Sequence, residues 1–250
     1  MNGNVKIVGA GPGDKDLITV KGLKAVQKAD VILYDALVNK ELLQEAPDAE
    51  LIYVGKRAGM HSFTQDEINL LILQSAYSHK NVVRLKGGDP FIFGRGHEEL
   101  DYLKNFDIEV EVIPGISSST SLPLLQQVPL TRRGVSESFW VLTGTTSADE
   151  LSKEISLGLK SSATLVILMG IKKIPIISKV ISDSSREEVP IMVVQNGSMP
   201  NEKVVLTNGQ NLIEDVKANK IGTPGIIVIG EVVSLHPEFV LSRISETWNR

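Results

Sequence analysis

Residues 5–14 read VKIVGAGPGD, a short run rich in β-branched residues that passes directly into a loop rich in glycine. The segment that follows carries apolar residues at every third position, at Leu17, Val20, Leu23 and Val26, as an amphipathic helix does. A strand, a glycine-rich loop and a helix in this order are typical of the repeating unit of α/β proteins. This stretch therefore predicts an α/β fold with mainly parallel strands.

The alternation of short β-branched runs with stretches of helical length continues along the whole chain. In the first half it predicts strands at 5–8, 31–34, 51–54, 82–85 and 110–113, and helices at 17–29 and 68–76. The second of these helices follows Thr64 and Glu67, whose spacing is that of a capping box. In the second half the pattern predicts strands at 139–142, 164–169, 191–195, 203–207 and 226–229. Since the strand at 203–207 has no evident helix before it, we expect a mixed second sheet.

A stretch rich in serine, proline and glycine, from 114 to 134, separates the two halves. We therefore expect two α/β domains, 1–125 and 126–250, with the glycine-rich loops in the first domain. A length of 250 residues suits two modest domains of this kind.

The composition is that of a globular protein, and it excludes several classes of function. Of the residues, 42% are apolar and 22% are charged. The absence of cysteine excludes disulfide scaffolds, thiolate metal sites and cysteine nucleophiles. The formal charge of −4 has the wrong sign for a general nucleic-acid binder. The apolar runs are far shorter than the ~20 residues of a membrane span and the N-terminus lacks a signal-peptide pattern, so we expect a cytoplasmic protein.

Glycine or chargeable residues follow every predicted strand of the first half. They stand at 9–14 (GAGPGD), at Asp35, at 55–59 (GKRAG), at 86–96 (KGGDPFIFGRG) and at 114–119 (PGISSS). In an open parallel sheet these positions are the carboxyl ends of the strands, where ligands bind. Each loop alone is equally compatible with a structural turn. Five such loops at one edge favour a ligand cleft.

The first loop also suggests a dinucleotide site, because Gly9 and Gly11 follow a strand and Asp35 ends the next one. The dinucleotide fingerprint is broken at its sixth position, which is Asp14. A carboxylate there would repel a pyrophosphate at the start of the helix. The loop therefore favours a nucleoside ligand that lacks phosphates and carries a positive charge. A dinucleotide-binding oxidoreductase or sensor remains the alternative from a different class.

The loop sequences VGAGPGD, VGKRAG, VVRLKGGDPFIFGRG, VIPGISS and PLTRR resemble, in this order, the signature of the tetrapyrrole (corrin/porphyrin) methylase family. The resemblance extends over nearly the whole chain and weakens at 145–163 and 172–188. Within the family, GKRAG and KGGDPFIFGRG are most similar to the stand-alone members that methylate uroporphyrinogen III.

This resemblance implies a fold of two α/β domains with S-adenosyl-L-methionine in the cleft between them, completed by the second domain. The implied reaction is C-methylation of uroporphyrinogen III at C2 and C7, which gives precorrin-2 by way of precorrin-1 and leaves S-adenosyl-L-homocysteine. The product serves sirohaem or cobalamin synthesis, and the family implies a homodimer without a metal. A methylase of a later precorrin is the alternative within the family.

The family's cofactor-binding positions correspond to residues in four loops of this chain. They are Pro12, Gly87, Gly88, Asp89, Ile92, Ser117, Ser118, Met169 and Gly197. Glycine at 87 and 88 permits backbone contact with a ligand, and Asp89 can accept hydrogen bonds from the amino group of the cofactor. For Ile92 and Met169, ordinary core packing explains an apolar side chain equally well.

The family's acid–base pair corresponds to Asp35 as proton acceptor and Lys56 as proton donor. From spacing alone, Asp35 is equally a ribose ligand or a helix cap, and Lys56 is equally a counter-ion to a carboxylate. The substrate carries eight carboxylates, which we expect cations near the motif loops to bind. The candidates are Lys56, Arg57, His61, Lys86, Arg95, His97, Arg132 and Arg133, of which arginine suits carboxylates best. Arg132 and Thr145 stand where family members often have histidine.

Overall fold

The computed structural model describes residues 3–55, 63–146 and 148–241. The chain divides into two compact units, Met1–Ser117 and Ser118–Arg250, each built on one five-stranded sheet. The division falls inside the stretch rich in serine, proline and glycine that separates the two halves of the sequence. Among the described residues, no helix has the length and apolar character needed to span a membrane.

The sheet of the first unit is entirely parallel. Its strands are β1 (Asn4–Gly9), β2 (Val31–Tyr34), β3 (Glu50–Tyr53), β4 (Asn81–Lys86) and β5 (Val110–Ile113). They lie in the order β3-β2-β4-β1-β5, and every neighbouring pair is parallel. The carboxyl ends of all five strands therefore meet at one edge, as the sequence predicted.

In the described part of this unit, the α-helices that cover the sheet are α1 (Val20–Val26), α2 (Gln65–Ser78) and α3 (Gly96–Lys104). The first is shorter than predicted, because Thr19 caps it by accepting a hydrogen bond from the Gly22 amide at 3.1 Å. The second has the predicted capping box. Thr64 Oγ1 accepts from the Glu67 amide at 3.3 Å, and the Glu67 carboxylate accepts from the Thr64 amide at 2.7 Å.

Both faces of the first sheet are buried, which explains why its strands are mainly apolar. Val8 and Ile32 pack on one face against α1 and the 3₁₀ helix Lys40–Glu45. Val5 and Leu33 pack on the other face against α2 and α3.

The loops after neighbouring strands consequently leave the sheet in opposite directions. Connections from β1 and β2 pass to the face covered by α1, whereas those from β3 and β4 pass to the face covered by α2 and α3. Because β4 lies between β2 and β1, the loops diverge on either side of it. Such a point is where open α/β sheets form a ligand crevice.

The second unit has a mixed sheet, as expected. Its strands are β6 (Phe139–Thr143), β7 (Thr164–Leu168), β8 (Pro190–Gln195), β9 (Lys203–Asn208) and β10 (Gly225–Ile229). They lie in the order β6-β7-β10-β8-β9, in which β6 and β7 are parallel and the other pairs are antiparallel. A short connection without a helix joins β8 to antiparallel β9.

The α-helices that accompany this sheet include α4 (Ser118–Leu125), α5 (Glu154–Leu159), α6 (Ile174–Asp183) and α7 (Leu212–Ala218). The core on one face includes Ile155 from α5 and Ile177 from α6, both fully buried. The core on the other face includes Leu122 from α4. The second unit therefore has its own hydrophobic core on each side of the sheet.

Candidate functional site

The loops that follow β1, β4 and β5 approach one another backbone to backbone. The Gly88 amide donates to Gly11 O at 2.7 Å, and the Gly11 amide donates to Gly88 O at 3.3 Å. A Cβ on Gly9 would lie 2.7 Å from Gly88 O, and a Cβ on Gly115 would lie 2.6 Å from Gly9 Cα. These distances leave no room for a side chain at either position, so packing between the loops requires glycine there.

The position of Gly88 favours glycine for a different reason. Its φ is +68°, in the left-handed region, and a Cβ built there would meet no heavy atom within 4 Å in the described part of the chain. Gly87, by contrast, packs closely against Leu37, since a Cβ at Gly87 would lie 2.5 Å from Leu37 Cβ. Of these two predicted cofactor glycines, Gly88 is the one that borders open space.

Asp89 links the loop after β4 to the loop after β5. Its Oδ1 accepts from the Phe91 amide at 2.9 Å, and its Oδ2 accepts from the Gly115 amide at 3.1 Å. An ionised carboxylate offers about four acceptor sites, so these two hydrogen bonds leave capacity for a further donor. The geometry thus reveals a structural role for Asp89 that is compatible with cofactor binding.

The remaining predicted cofactor residues are distributed over both units. In the first unit, Pro12 is half-buried, Ser117 is buried, and Ile92 is 38% exposed, too open for a core residue. Ser118 is the first residue of α4 in the second unit.

Met169 and Gly197 follow strands of the second unit. Met169 comes after β7 with a φ of +56° and is 51% exposed, so it does not belong to the core of its unit. At Gly197 a Cβ would lie 2.5 Å from Leu122 Cδ2, so packing against α4 accounts for the glycine.

Asp35 stands directly after β2 and is held from three directions. Its Oδ1 accepts from the Leu37 amide at 3.0 Å, and its Oδ2 accepts from the Gly87 amide at 3.3 Å. The guanidinium of Arg84 faces Oδ2 at 3.8 Å. The side chain is still 26% exposed, so Asp35 stabilises the turn after β2 and remains accessible to a ligand.

A cavity of about 640 Å³ opens beside Asp35 within the first unit. Its apolar wall includes Leu37, Val54, Phe63 and Ile68, and its polar groups include Asp35, Gln65, Arg84 and Arg95. The predicted acid, Lys56, lies outside the described residues, as do the substrate candidates Arg57 and His61. The structure therefore brings Asp35 and Arg95 to one cavity.

A buried ionic cluster stands behind this cavity, and the sequence analysis missed it. Arg84 and Lys86 are 3% and 4% exposed, and Glu99 is fully buried between them. Glu99 Oε1 lies 3.1 Å from Arg84 Nε and 2.8 Å from Lys86 Nζ. Burial, and then the neighbouring charge of Arg84, lower the pKa of Lys86, an effect that Glu99 partly offsets. The sequence did contain a signal for this cluster, because the charged residues Arg84 and Lys86 stand at alternate positions of the mainly apolar strand β4.

The predicted substrate cations have very different environments. Lys86 is buried, so it cannot contact a ligand without rearrangement and instead anchors its loop. Arg95 has a φ of +60° and donates from Nε and Nη2 to Glu98 at 2.8 and 2.6 Å. This interaction raises the pKa of Arg95. His97 lies 3.0 Å from Asp101 on the exposed face of α3.

Arg132 and Arg133 are exposed residues of the second unit. Thr145, also in the second unit, donates from Oγ1 to Met169 O at 3.1 Å. Thr145 therefore supports the backbone at Met169.

Comparison with known proteins places the chain in a family. The family model of Tetrapyrrole (Corrin/Porphyrin) Methylases matches residues 4–213. A uroporphyrinogen-III C-methyltransferase from Methanocaldococcus jannaschii is 47% identical over 238 residues, covering 94% of this chain and 98% of that protein. The uroporphyrinogen-III C-methyltransferase of Bacillus subtilis is 44% identical over 237 residues, covering 94% and 92%.

A solved structure agrees with these sequence matches. The uroporphyrin-III C-methyl transferase of Thermus thermophilus, crystallised in complex with S-adenyl homocysteine, matches with a TM-score of 0.81 and 36% identity. The match covers 93% of this chain and 100% of that one. Sequence and fold together show that the chain belongs to the tetrapyrrole methylase family.

Proposed function

We propose that this chain is an S-adenosyl-L-methionine-dependent C-methyltransferase that converts uroporphyrinogen III into precorrin-2 by way of precorrin-1. The relatives that carry this activity in their names match it over nearly their full length. The observation that carries the proposal is the position of Asp35. This partly exposed carboxylate faces a cavity of about 640 Å³ at the same sheet edge as the glycine-rich loops.

The open space beside Gly88 supports a cofactor site at this loop. The related Thermus structure is a complex with S-adenyl homocysteine, the form of the cofactor that remains after methyl transfer. When bound, S-adenosyl-L-methionine supplies an electrophilic methyl group on a sulfonium. Gly87 and Gly88 provide backbone contacts, and Asp89 accepts hydrogen bonds from the amino group. The other assigned binding residues are Pro12, Ile92, Ser117, Ser118, Met169 and Gly197.

Asp35 acts as the proton acceptor in this proposal. Carbon methylation of a pyrrole requires a proton to leave the ring as its conjugation shifts. Backbone amides at Leu37 and Gly87 hold the carboxylate in one orientation, which leaves its accessible side toward the cavity. General base catalysis of this kind is worth about 10²–10⁴-fold in rate. Lys56 is assigned as the proton donor.

Positively charged side chains bind the carboxylates of the substrate. Arg95 lines the cavity and has a planar fork that matches a carboxylate. Arg57 and Arg132 or Arg133 are the further candidates. The product feeds sirohaem or cobalamin synthesis. We also propose that the chain acts as a cytoplasmic homodimer and binds neither nucleic acid nor membrane, in keeping with its net charge of −4.

Equilibrium binding and turnover together test this proposal. Titration calorimetry with S-adenosyl-L-homocysteine is expected to give tight binding, with no response to NAD or NADP. Response to the dinucleotides alone would favour an oxidoreductase or a sensor instead. In an anaerobic assay, uroporphyrinogen III is expected to release S-adenosyl-L-homocysteine from the methyl donor. Release with a later precorrin only would establish the other activity of the family.

A further inference from the structure

Glu99 on α3 is fully buried and accepts three hydrogen bonds through one oxygen atom. Its Oε1 accepts from Arg84 Nε at 3.1 Å, from Lys86 Nζ at 2.8 Å and from Gln65 Nε2 at 3.4 Å. Its Oε2 is buried and has no hydrogen-bond partner among the described residues. A buried carboxylate is satisfied better when both of its oxygens accept hydrogen bonds. Here all three donors reach the same oxygen, so the positions of the donors determine the orientation of the carboxylate.

Arg84 is held by Glu99 in an orientation that directs one nitrogen at Asp35. The guanidinium is planar, so two anchored nitrogens determine where the third one lies. Nε donates to Glu99, and Nη1 donates to Leu33 O at 3.4 Å and Leu85 O at 3.0 Å. The remaining nitrogen, Nη2, faces Asp35 Oδ2 at 3.8 Å.

Two of the three residues that donate to Glu99 belong to the wall of the cavity. Arg84 and Gln65 both line it, as does Asp35, whereas Glu99 itself is fully buried behind them. Glu99 therefore acts on the cavity through the side chains of Arg84 and Gln65. Through Arg84 it also acts on the carboxylate of Asp35.

The charges of this group are balanced. Arg84 and Lys86 carry two positive charges, and Glu99 and Asp35 carry two negative charges. Within this group of four, removal of the Glu99 charge leaves Asp35 as the anion that faces two buried cations. The hydrogen bond from Arg84 Nε would then go to an uncharged acceptor and weaken, and the attraction of Arg84 to Asp35 would no longer be opposed by Glu99. Both changes would alter the position of the carboxylate.

We propose that Glu99 is a positioning residue for methyl transfer, which acts through the Arg84 guanidinium to fix the carboxylate of Asp35 at the cavity. This inference rests on the proposed function, since it assigns a role in the same reaction. Glu99 itself does not touch the substrate or the cofactor. Its removal is therefore expected to change the turnover number and to leave cofactor affinity in place.

A double-mutant cycle tests this role. We expect Glu99→Gln to lower kcat at least tenfold, while KM for S-adenosyl-L-methionine and Kd for its homocysteine product change less than twofold. Arg84→Lys keeps the charge but lacks the planar fork, so it is expected to lower kcat similarly. In the Arg84→Lys background, Glu99→Gln should lower kcat by less than twofold further, because both substitutions break the same chain of contacts.

Removing one member of a buried ion pair is strongly destabilising, so the test includes a charge-balanced variant. Glu99→Gln combined with Lys86→Met removes one anion and one cation, and it is expected to fold with kcat still reduced at least tenfold. Glu111→Gln is the matched control. Glu111 likewise bridges two cations, Lys6 and Lys21, but it lies outside the cavity wall, and its loss is expected to leave kcat unchanged.

Three results would overturn the inference. The first is a folded charge-balanced variant whose kcat stays within twofold of the parent chain. The second is a cycle in which the two substitutions lower kcat independently, and the third is a Glu111→Gln variant that loses as much activity as Glu99→Gln. A parent chain that fails to methylate uroporphyrinogen III would instead contradict the proposed function, which separates the two failures.

Discussion

Replacing Gly88 with alanine adds one methyl group at the point where the loop after β4 borders open space. A Cβ there meets no heavy atom within 4 Å in the described part of the chain, so the substitution causes no internal clash. Its cost to the folded protein comes from the backbone. The φ of +68° lies in the left-handed region, where a residue other than glycine is disfavoured by about 1–2 kcal/mol.

The size of the expected changes follows from these two facts. A loss of about 1–2 kcal/mol lowers Tm by about 2–8 °C, at about 2–4 °C per kcal/mol for a chain of this length. If the cofactor backbone contact is at Gly88, the added methyl group also occupies ligand space. We expect the affinity for S-adenosyl-L-homocysteine to fall at least tenfold, about 1.4 kcal/mol, and to fall further with Gly88→Val.

Gly134→Ala provides the matched control for this experiment. Gly134 also has a positive φ, +76°, and also lacks a described heavy atom within 4 Å of a Cβ. Both alanine variants should therefore lose similar stability in thermal denaturation, but only Gly88→Ala should weaken binding in calorimetry. Gly88→Ala that binds within twofold of the parent chain would remove this loop from the cofactor site.

Three further predictions concern the base, the substrate and the fold. Asp35→Asn keeps the shape of the side chain and one acceptor oxygen for the backbone amides, but it cannot accept a proton. We therefore expect kcat to fall by about 10² or more, ~2.7 kcal/mol, with product binding intact; a loss confined to cofactor affinity would make Asp35 a ligand instead. Arg95→Ala should raise KM for uroporphyrinogen III more than KM for S-adenosyl-L-methionine in steady-state assays, and the reverse ranking would contradict its assignment to the substrate. Thr64→Ala removes one half of the capping box and should cost about 1 kcal/mol in thermal denaturation, whereas an unchanged Tm would mean that this cap contributes no stability.

The strands were predictable because local pattern and tertiary environment agree. All ten predicted strands are present, each within one residue of its predicted ends. In the parallel sheet both faces are buried, so the strands are mainly apolar and stand out from the polar loops that follow them. The position of Asp35 and of the glycine-rich loops at one edge followed directly from this.

Long-range contacts account for what the pattern did not predict. Lys86 was predicted to bind substrate and Arg84 was given no role, because only the position of α3 over the sheet brings Glu99 between them. Likewise, Gly197 faces Leu122, which is far away in sequence, and Asp89 accepts from the amide of Gly115. Spacing along the chain carries no information about such pairs.

The reaction itself provides the most direct test of the account. The chain should be incubated anaerobically with uroporphyrinogen III and S-adenosyl-L-methionine carrying a deuterated methyl group, and the tetrapyrrole product analysed by mass spectrometry. The account predicts the transfer of one and then two labelled methyl groups, with loss of both products in Asp35→Asn. Unlabelled uroporphyrinogen III recovered from a folded chain that binds S-adenosyl-L-homocysteine would contradict it.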